Sequence, residues 1–161
     1  MNKLYTNKRS PDVAPGIVLV VDDDADDARA AVRTINKLFP ELSTRAVYSG
    51  EDLISYLQGE NEFSDRNEHP YPLLVLLDLK MGGVSGFDVL LWLRDHPPHN
   101  YIPVIVLTGT GELNMASRAY ALGARSFLTK PLQRVELENA VRGFEHWVQQ
   151  IRASVNSAAV H

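Results

Sequence analysis

The chain contains no cysteine, which excludes both a disulfide framework and a thiolate zinc site. It also lacks any long apolar run, and nothing approaches the ~20 consecutive residues that a membrane-spanning helix needs. The apolar stretch behind Lys3, Lys8 and Arg9, from Ile17 to Val21, is too short for a secretory leader and ends in Asp22. No Gly-rich phosphate loop or GxGxxG follows an apolar segment, which speaks against a nucleotide cofactor. There is no internal repeat and no low-complexity tract. A surplus of basic residues is missing as well: 16 Lys+Arg stand against 20 Asp+Glu, a net charge of −4. Part of the acidity is packed between Asp22 and Asp27, which points to a local acidic site and away from nucleic acid. These absences imply a cytoplasmic protein with neither a membrane nor a nucleic-acid partner.

What is present is ordinary globular material, 45% hydrophobic and 22% charged over 161 residues, enough for one core in one domain. The polar stretch 1–15, with Pro11 and Pro15 near its end, reads as a flexible arm. Residues 16–152 read as the domain and 153–161 as a fraying tail. Within the domain, apolar runs and helical stripes alternate. Ile17 to Val21 reads as a buried strand, and Ala25 to Phe39 as a helix with Ala28, Ala31, Val32, Ile35 and Leu38 on one stripe. Asp24 is placed to cap that helix and Pro40 to end it. Thr44 to Tyr48 reads as a strand. A helix entered through Ser49 follows, with Leu53, Ile54 and Leu57 inward. Gly59 to Pro72, polar and proline-containing, reads as a long surface loop. Leu73 to Leu77 is a strand buried on both faces and ending in Asp78. Further on come a helix at Ser85 to Asp95, a strand at Ile102 to Leu107, and a helix at Glu112 to Leu122 closed by Gly123. A strand at Arg125 to Leu128 and a long helix from Gln133 complete the chain. Strand and helix in alternation define an α/β domain. Right-handed crossovers leave a flavodoxin-like, doubly wound parallel sheet of five strands with helices on both faces.

In such a sheet, chemistry sits beyond the carboxyl ends of the strands, at the point where strand order reverses. Asp22 and Asp23 end the first strand, Asp78 the central one, Thr108 the next, and Lys130-Pro131 follows the last. Three carboxylates in one crevice repel one another and call for a cation, and hard oxygen donors with open positions suit Mg²⁺. Each group also has a plain structural reading. Asp22 to Asp24 can serve only as a helix cap, Thr108 can bond to local backbone, and Lys130 can be solvated. Taken together they suggest more: a phosphoryl group on Asp78 would find a metal, a cation and donors in Lys130, Thr108 and the amides near Gly109. His96 and His99 flank two prolines with no third ligand nearby.

Val-Asp-Asp (21–23), Leu-Leu-Asp-Leu-Lys-Met (76–81) with Ser85-Gly86, Val-Leu-Thr (106–108) and Gly-Ala-Arg-Ser-Phe-Leu-Thr-Lys-Pro (123–131) together resemble a response-regulator receiver domain, CheY-like in type. The resemblance spans about residues 17 to 150 and implies a single-domain regulator of a two-component phosphorelay with no external substrate turned over. It implies that Asp78 is the phospho-acceptor and that Asp22, Asp23, Asp78 and the backbone carbonyl of Lys80 hold Mg²⁺. Thr108 would then be the switch hydroxyl, Lys130 the phosphoryl-sensing cation, and Phe127 the aromatic that turns with Thr108. Two positions depart from the usual receiver pattern. Gly82 stands where proline is common, so a more flexible loop is expected, and Lys80 places a cation where a small residue or Asn is usual. The loop from Tyr56 through Phe63, Asp65-Arg66 and Pro70 resembles the receivers that partner bacterial phytochrome histidine kinases. The spacing of Leu137, Val141, Phe144, Val148 and Ile151 fits a seam as well as a core stripe, and with Trp147 it suggests a homodimer built on the final helix. The competing reading is an Mg²⁺-dependent phosphohydrolase of haloacid-dehalogenase type using Asp22 in Asp22-Asp23-Asp24. It lacks the following Thr, the later acidic pair and a cap insertion.

Overall fold

The computed structural model describes residues 17–109 and 112–144. The expected arm and tail, and the stretch of the last helix carrying Trp147, Val148 and Ile151, lie outside the described residues. The elements run β1 (Ile17–Val21), α1 (Ala25–Leu38), β2 (Ser43–Val47), α2 (Gly50–Gln58), β3 (Pro72–Asp78), α3 (Gly86–Asp95), β4 (Val104–Thr108), α4 (Leu113–Ala121) and β5 (Ser126–Thr129). A last helix, α5, covers residues 134–144. The sheet order is β2-β1-β3-β4-β5, with every neighbouring pair parallel, the expected doubly wound topology.

Alternate residues along each strand supply two cores. Val18, Val20, Leu74, Leu76, Ile105 and Leu107 pack against Ala28, Ala31 and Ile35 of α1 and Leu137 and Val141 of α5. Leu19, Val21, Val75, Leu77, Val104 and Val106 pack on the other side against Leu53, Leu57, Val89, Leu90 and Ala119 of α2, α3 and α4. Burial on both faces is why the runs in β1, β3 and β4 are apolar throughout.

Local chemistry fixes where the helices begin. The Asp24 carboxylate accepts from the amides of Asp26 and Asp27 at 2.9 and 3.1 Å. The Ser49 hydroxyl accepts from the Asp52 amide at 3.0 Å. Ser85 and Asp88 form a reciprocal capping box at the start of α3. Gly86 matters for another reason: a Cβ there would stand 2.6 Å from both the Asp78 carbonyl oxygen and Leu79 Cα. Only glycine lets the first turn of α3 press against the end of β3. Gly123 has φ +105°, the left-handed geometry expected after α4.

The segment from Gly59 to Pro72 is not the simple surface loop that its polarity suggests. It makes a 3₁₀ turn at Asn61–Phe63 that buries Phe63 in the core. Arg66 donates to the carbonyls of Tyr56 and Leu57, both at 2.7 Å, and of His69 at 3.3 Å. The Tyr56 and Leu57 carbonyls lie in the last turn of α2, where the helix runs out of its own donors, and that of Tyr56 also accepts from the Gly59 amide at 3.1 Å. The Tyr56 hydroxyl donates to the Pro70 carbonyl at 2.8 Å, so a buried tyrosine joins Leu53 and Leu57 on the inner face of α2.

At the far end of α3, Trp92 stacks with two imidazoles. It stacks on His96 at 4.3 Å and 13°, and on His99 at 5.3 Å and 22°. His99 in turn stacks on Tyr71 and hydrogen-bonds its hydroxyl. Burial, with His96 and Arg66 adding, holds the His99 imidazole below its ordinary pKa.

Candidate functional site

β1 and β3 are adjacent, and the chain leaves them toward opposite edges of the sheet, so the crevice between their carboxyl ends is the switch point. Asp22 and Asp78 are buried there and Asp23 is exposed. One carboxylate oxygen from each of the three lies within 4.8 Å of the other two. β5 ends opposite and delivers Lys130, whose amide donates to the Thr108 carbonyl at 2.7 Å. The Lys130 ammonium lies 2.8 Å from Asp22 Oδ2, 3.1 Å from Asp27 Oδ2 and 3.5 Å from Asp78 Oδ2. Thr108, 4% exposed, closes β4 beside Asp78, which pairs with Leu107. The Lys130–Pro131 peptide is cis.

Charge in this crevice is poised. Burial pushes the Asp78 carboxyl up to about 6; Lys130 opposes that rise, the charge of Asp22 adds to it, and the Lys80 amide opposes it. Burial works against the Lys130 ammonium, but hydrogen bonds to Asp22 and Asp27 and the charge of Asp78 outweigh it and raise its pKa. One cation among four carboxylates leaves an excess of negative charge. An all-oxygen donor set of three converging carboxylates with an exposed member fits a divalent hard cation such as Mg²⁺.

The loop after β3 is better anchored than its glycines suggest. The Gly82 amide donates to Asp23 Oδ2 at 3.2 Å, and the Val84 amide to Glu51 Oε1 at 3.2 Å. Proline at position 82 has no N–H to offer Asp23, so the departure from the common receiver residue creates a tie. The Lys80 amide donates to Asp78 Oδ1 at 3.2 Å. Its ammonium is engaged by Glu112, outside the carboxylate crevice. Phe127 is partly buried against the core of α2, α3 and α4 and makes an edge contact with Tyr120, centroids 5.8 Å apart at 83°.

All the carboxylates singled out in the sequence, together with Lys130 and Thr108, therefore meet at the carboxyl edge of the sheet. Asp27, Glu51 and Glu112 also hold the site, a part that spacing and composition did not assign them. Asp27 had one usable signal: it lies in the first turn of α1, directly after the acidic end of β1. Glu51 and Glu112 had none, because their partners come from other elements.

Residues 18–142 match the response regulator receiver domain family, and the chain belongs to that family. Among its relatives, a 3′,5′-cyclic-nucleotide phosphodiesterase, regA of Dictyostelium discoideum, is 32% identical over 126 residues, which are 77% of this chain and 14% of that protein. The response regulator Rcp1 of Synechocystis is 27% identical over 138 residues, 85% of this chain and 92% of that one. Of solved structures, the bacteriophytochrome response regulator RtBRR superposes with a TM-score of 0.70 at 25% identity, over 91% of this chain and 96% of that one.

Proposed function

We propose that Asp78 accepts a phosphoryl group from a phosphohistidine of a histidine kinase, and that the protein acts as a phosphorylation-controlled switch in a two-component relay. The observation that carries this reading is the setting of Asp78: buried at the end of β3, with Lys130 Nζ 3.5 Å from Oδ2 and oxygens of Asp22 and Asp23 within 4.8 Å. In the transfer an Asp78 oxygen forms the new P–O bond as the P–N bond to histidine breaks. The imidazole nitrogen keeps the electron pair and takes a proton from solvent. Mg²⁺ would be held by Asp22, Asp23, Asp78 and the Lys80 carbonyl, and supplies, when bound, positive charge to the phosphoryl oxygens. Lys130 releases part of its hold on Asp22 to pair with the new dianion, and the Thr108 hydroxyl donates to it. Thr108 ends β4, and Phe127 lies on β5 opposite Val106, two residues before Thr108, so a small repacking of the two alters the face of α4, β5 and α5. No external substrate is turned over.

The bacteriophytochrome regulator among the similar structures supports a phytochrome-type histidine kinase as the partner. We place the protein in the cytoplasm, and among the described residues no helix is long and apolar enough to cross a membrane. A homodimer through the final helix belongs to the same proposal. The phosphohydrolase alternative gains no support from Asp22, whose Oδ1 accepts from the Asp24 amide at 3.0 Å and whose Oδ2 is held by Lys130.

Incubation with acetyl phosphate and Mg²⁺, followed by intact-mass measurement, tests the assignment. One acid-labile phosphoryl group is expected on the wild type, and none on Asp78→Asn or in EDTA. Equal phosphorylation of Asp78→Asn would overturn it.

A further inference from the structure

Glu112 has both carboxylate oxygens committed. Oε1 is salt-bridged to the Lys80 ammonium, and Oε2 accepts from the Gly109 amide at 3.1 Å. The two partners come from different strand ends. Lys80 lies two residues beyond Asp78, and its own amide already donates to Asp78 Oδ1. Gly109 directly follows Thr108 on β4, the strand paired with β3. Glu112 is only 16% exposed as a side chain and covers Gly109 closely, since a Cβ there would meet its carboxyl carbon at 3.4 Å. These contacts hold its carboxyl below the usual range, led by the bond to Lys80. Glu112 is also the residue that opens α4.

An anion of this chain therefore occupies a backbone donor and a cation at the rim where a phosphoryl group on Asp78 would arrive. We propose that Glu112 is a resident competitor for that group. With Asp78 unmodified, it holds the Gly109 amide and the Lys80 ammonium and keeps the start of α4 docked on the site. When Asp78 carries a phosphoryl group, the stronger anion takes both donors, Glu112 leaves, and the start of α4 moves with it. Lys80 thus belongs to the switch through its pairing with Glu112, and α4 reads the state of Asp78 through one side chain. The inference rests on Asp78 being the phospho-acceptor.

The test uses beryllium fluoride with Mg²⁺ as the phosphoryl analogue, on the full chain, with amide NMR and calorimetry as readouts. Glu112→Gln removes the charge while keeping size. It should tighten beryllium fluoride binding by about three- to tenfold, the scale of one net hydrogen bond, and should shift the Gly109 amide resonance before any ligand is added. Glu112→Ala should do the same. In the wild type, beryllium fluoride should move the resonances of Gly109 and of the first turn of α4 together. Unchanged or weaker binding by both variants overturns the proposal, as does a Gly109 resonance that is the same in wild type and variants at rest. If the wild type binds no analogue at all while Glu112→Gln still shifts Gly109 at rest, the acceptor reading of Asp78 fails and the competitor role falls with it. Binding by the wild type that Asp78→Asn abolishes keeps the acceptor reading standing whatever Glu112 does.

Discussion

Asp78 is the residue on which stability and function pull in opposite directions. Its carboxyl titrates at 3.8 ordinarily and at about 6 in the folded chain, so folding favours the protonated form. The sign follows from linkage: the stabilisation that comes with protonation is fully present below pH ~4 and is lost as pH rises through about 6. Above that, the folded protein carries an unfavourable buried charge, the charge that nucleophilic attack requires. A rise of that size corresponds to at most ~3 kcal/mol, which solvent screening at the open rim reduces to about 1–2 kcal/mol. Asp78→Asn should accordingly exceed the wild type in stability by that amount at pH 8 in EDTA. The advantage should fade as the buffer is taken to pH 4. Urea unfolding at both values checks this, and a constant difference would show that burial is not its source.

At the scale of the element, the strands were legible because each core strand is an apolar run with a polar stop. β1 ends before Asp22, β3 at Asp78 and β4 at Thr108, so the carboxyl edge of the sheet and most of its chemistry could be read directly. The caps Asp24 and Ser49 were legible for the same local reason. What the sequence hid was pairing across distance. Lys130 reaches Asp27 from 103 residues away, and Lys80 meets Glu112 from a different loop. No spacing rule connects such positions. The segment between α2 and β3 was hidden differently, since one arginine and one phenylalanine order a stretch that composition alone calls polar. Arg66 donates to three carbonyls, and removing a charged donor from such partners costs about 2–3 kcal/mol. Arg66→Ala should lower unfolding free energy by that amount in urea titration. Its phosphorylation by acetyl phosphate should match the wild type, because the anchored end of α2 is opposite the end that carries Glu51.

For the whole molecule the open matter is how one copy meets another. Leu137 and Val141 are buried in the chain's own core, and Phe144 packs against it, so the four-three spacing up to Phe144 is already used by the sheet. The proposed dimer therefore rests on Trp147, Val148 and Ile151, which lie outside the described residues. Light scattering at micromolar concentration should give a dimer for the wild type and a monomer for the double substitution Trp147→Glu, Ile151→Glu. A wild-type monomer both with and without beryllium fluoride would end the idea. The imidazole–indole stack on α3 bears on how any such switch is watched. Gly86 touches the end of β3, and His96 comes ten residues later, about 15 Å along the helix. An excited indole gives up an electron readily to a protonated imidazole lying face to face with it. The brightness of Trp92 is thus an acidity gauge mounted at the end of the molecule remote from Asp78, dimming as His99, held below its ordinary pKa by burial, takes on a proton.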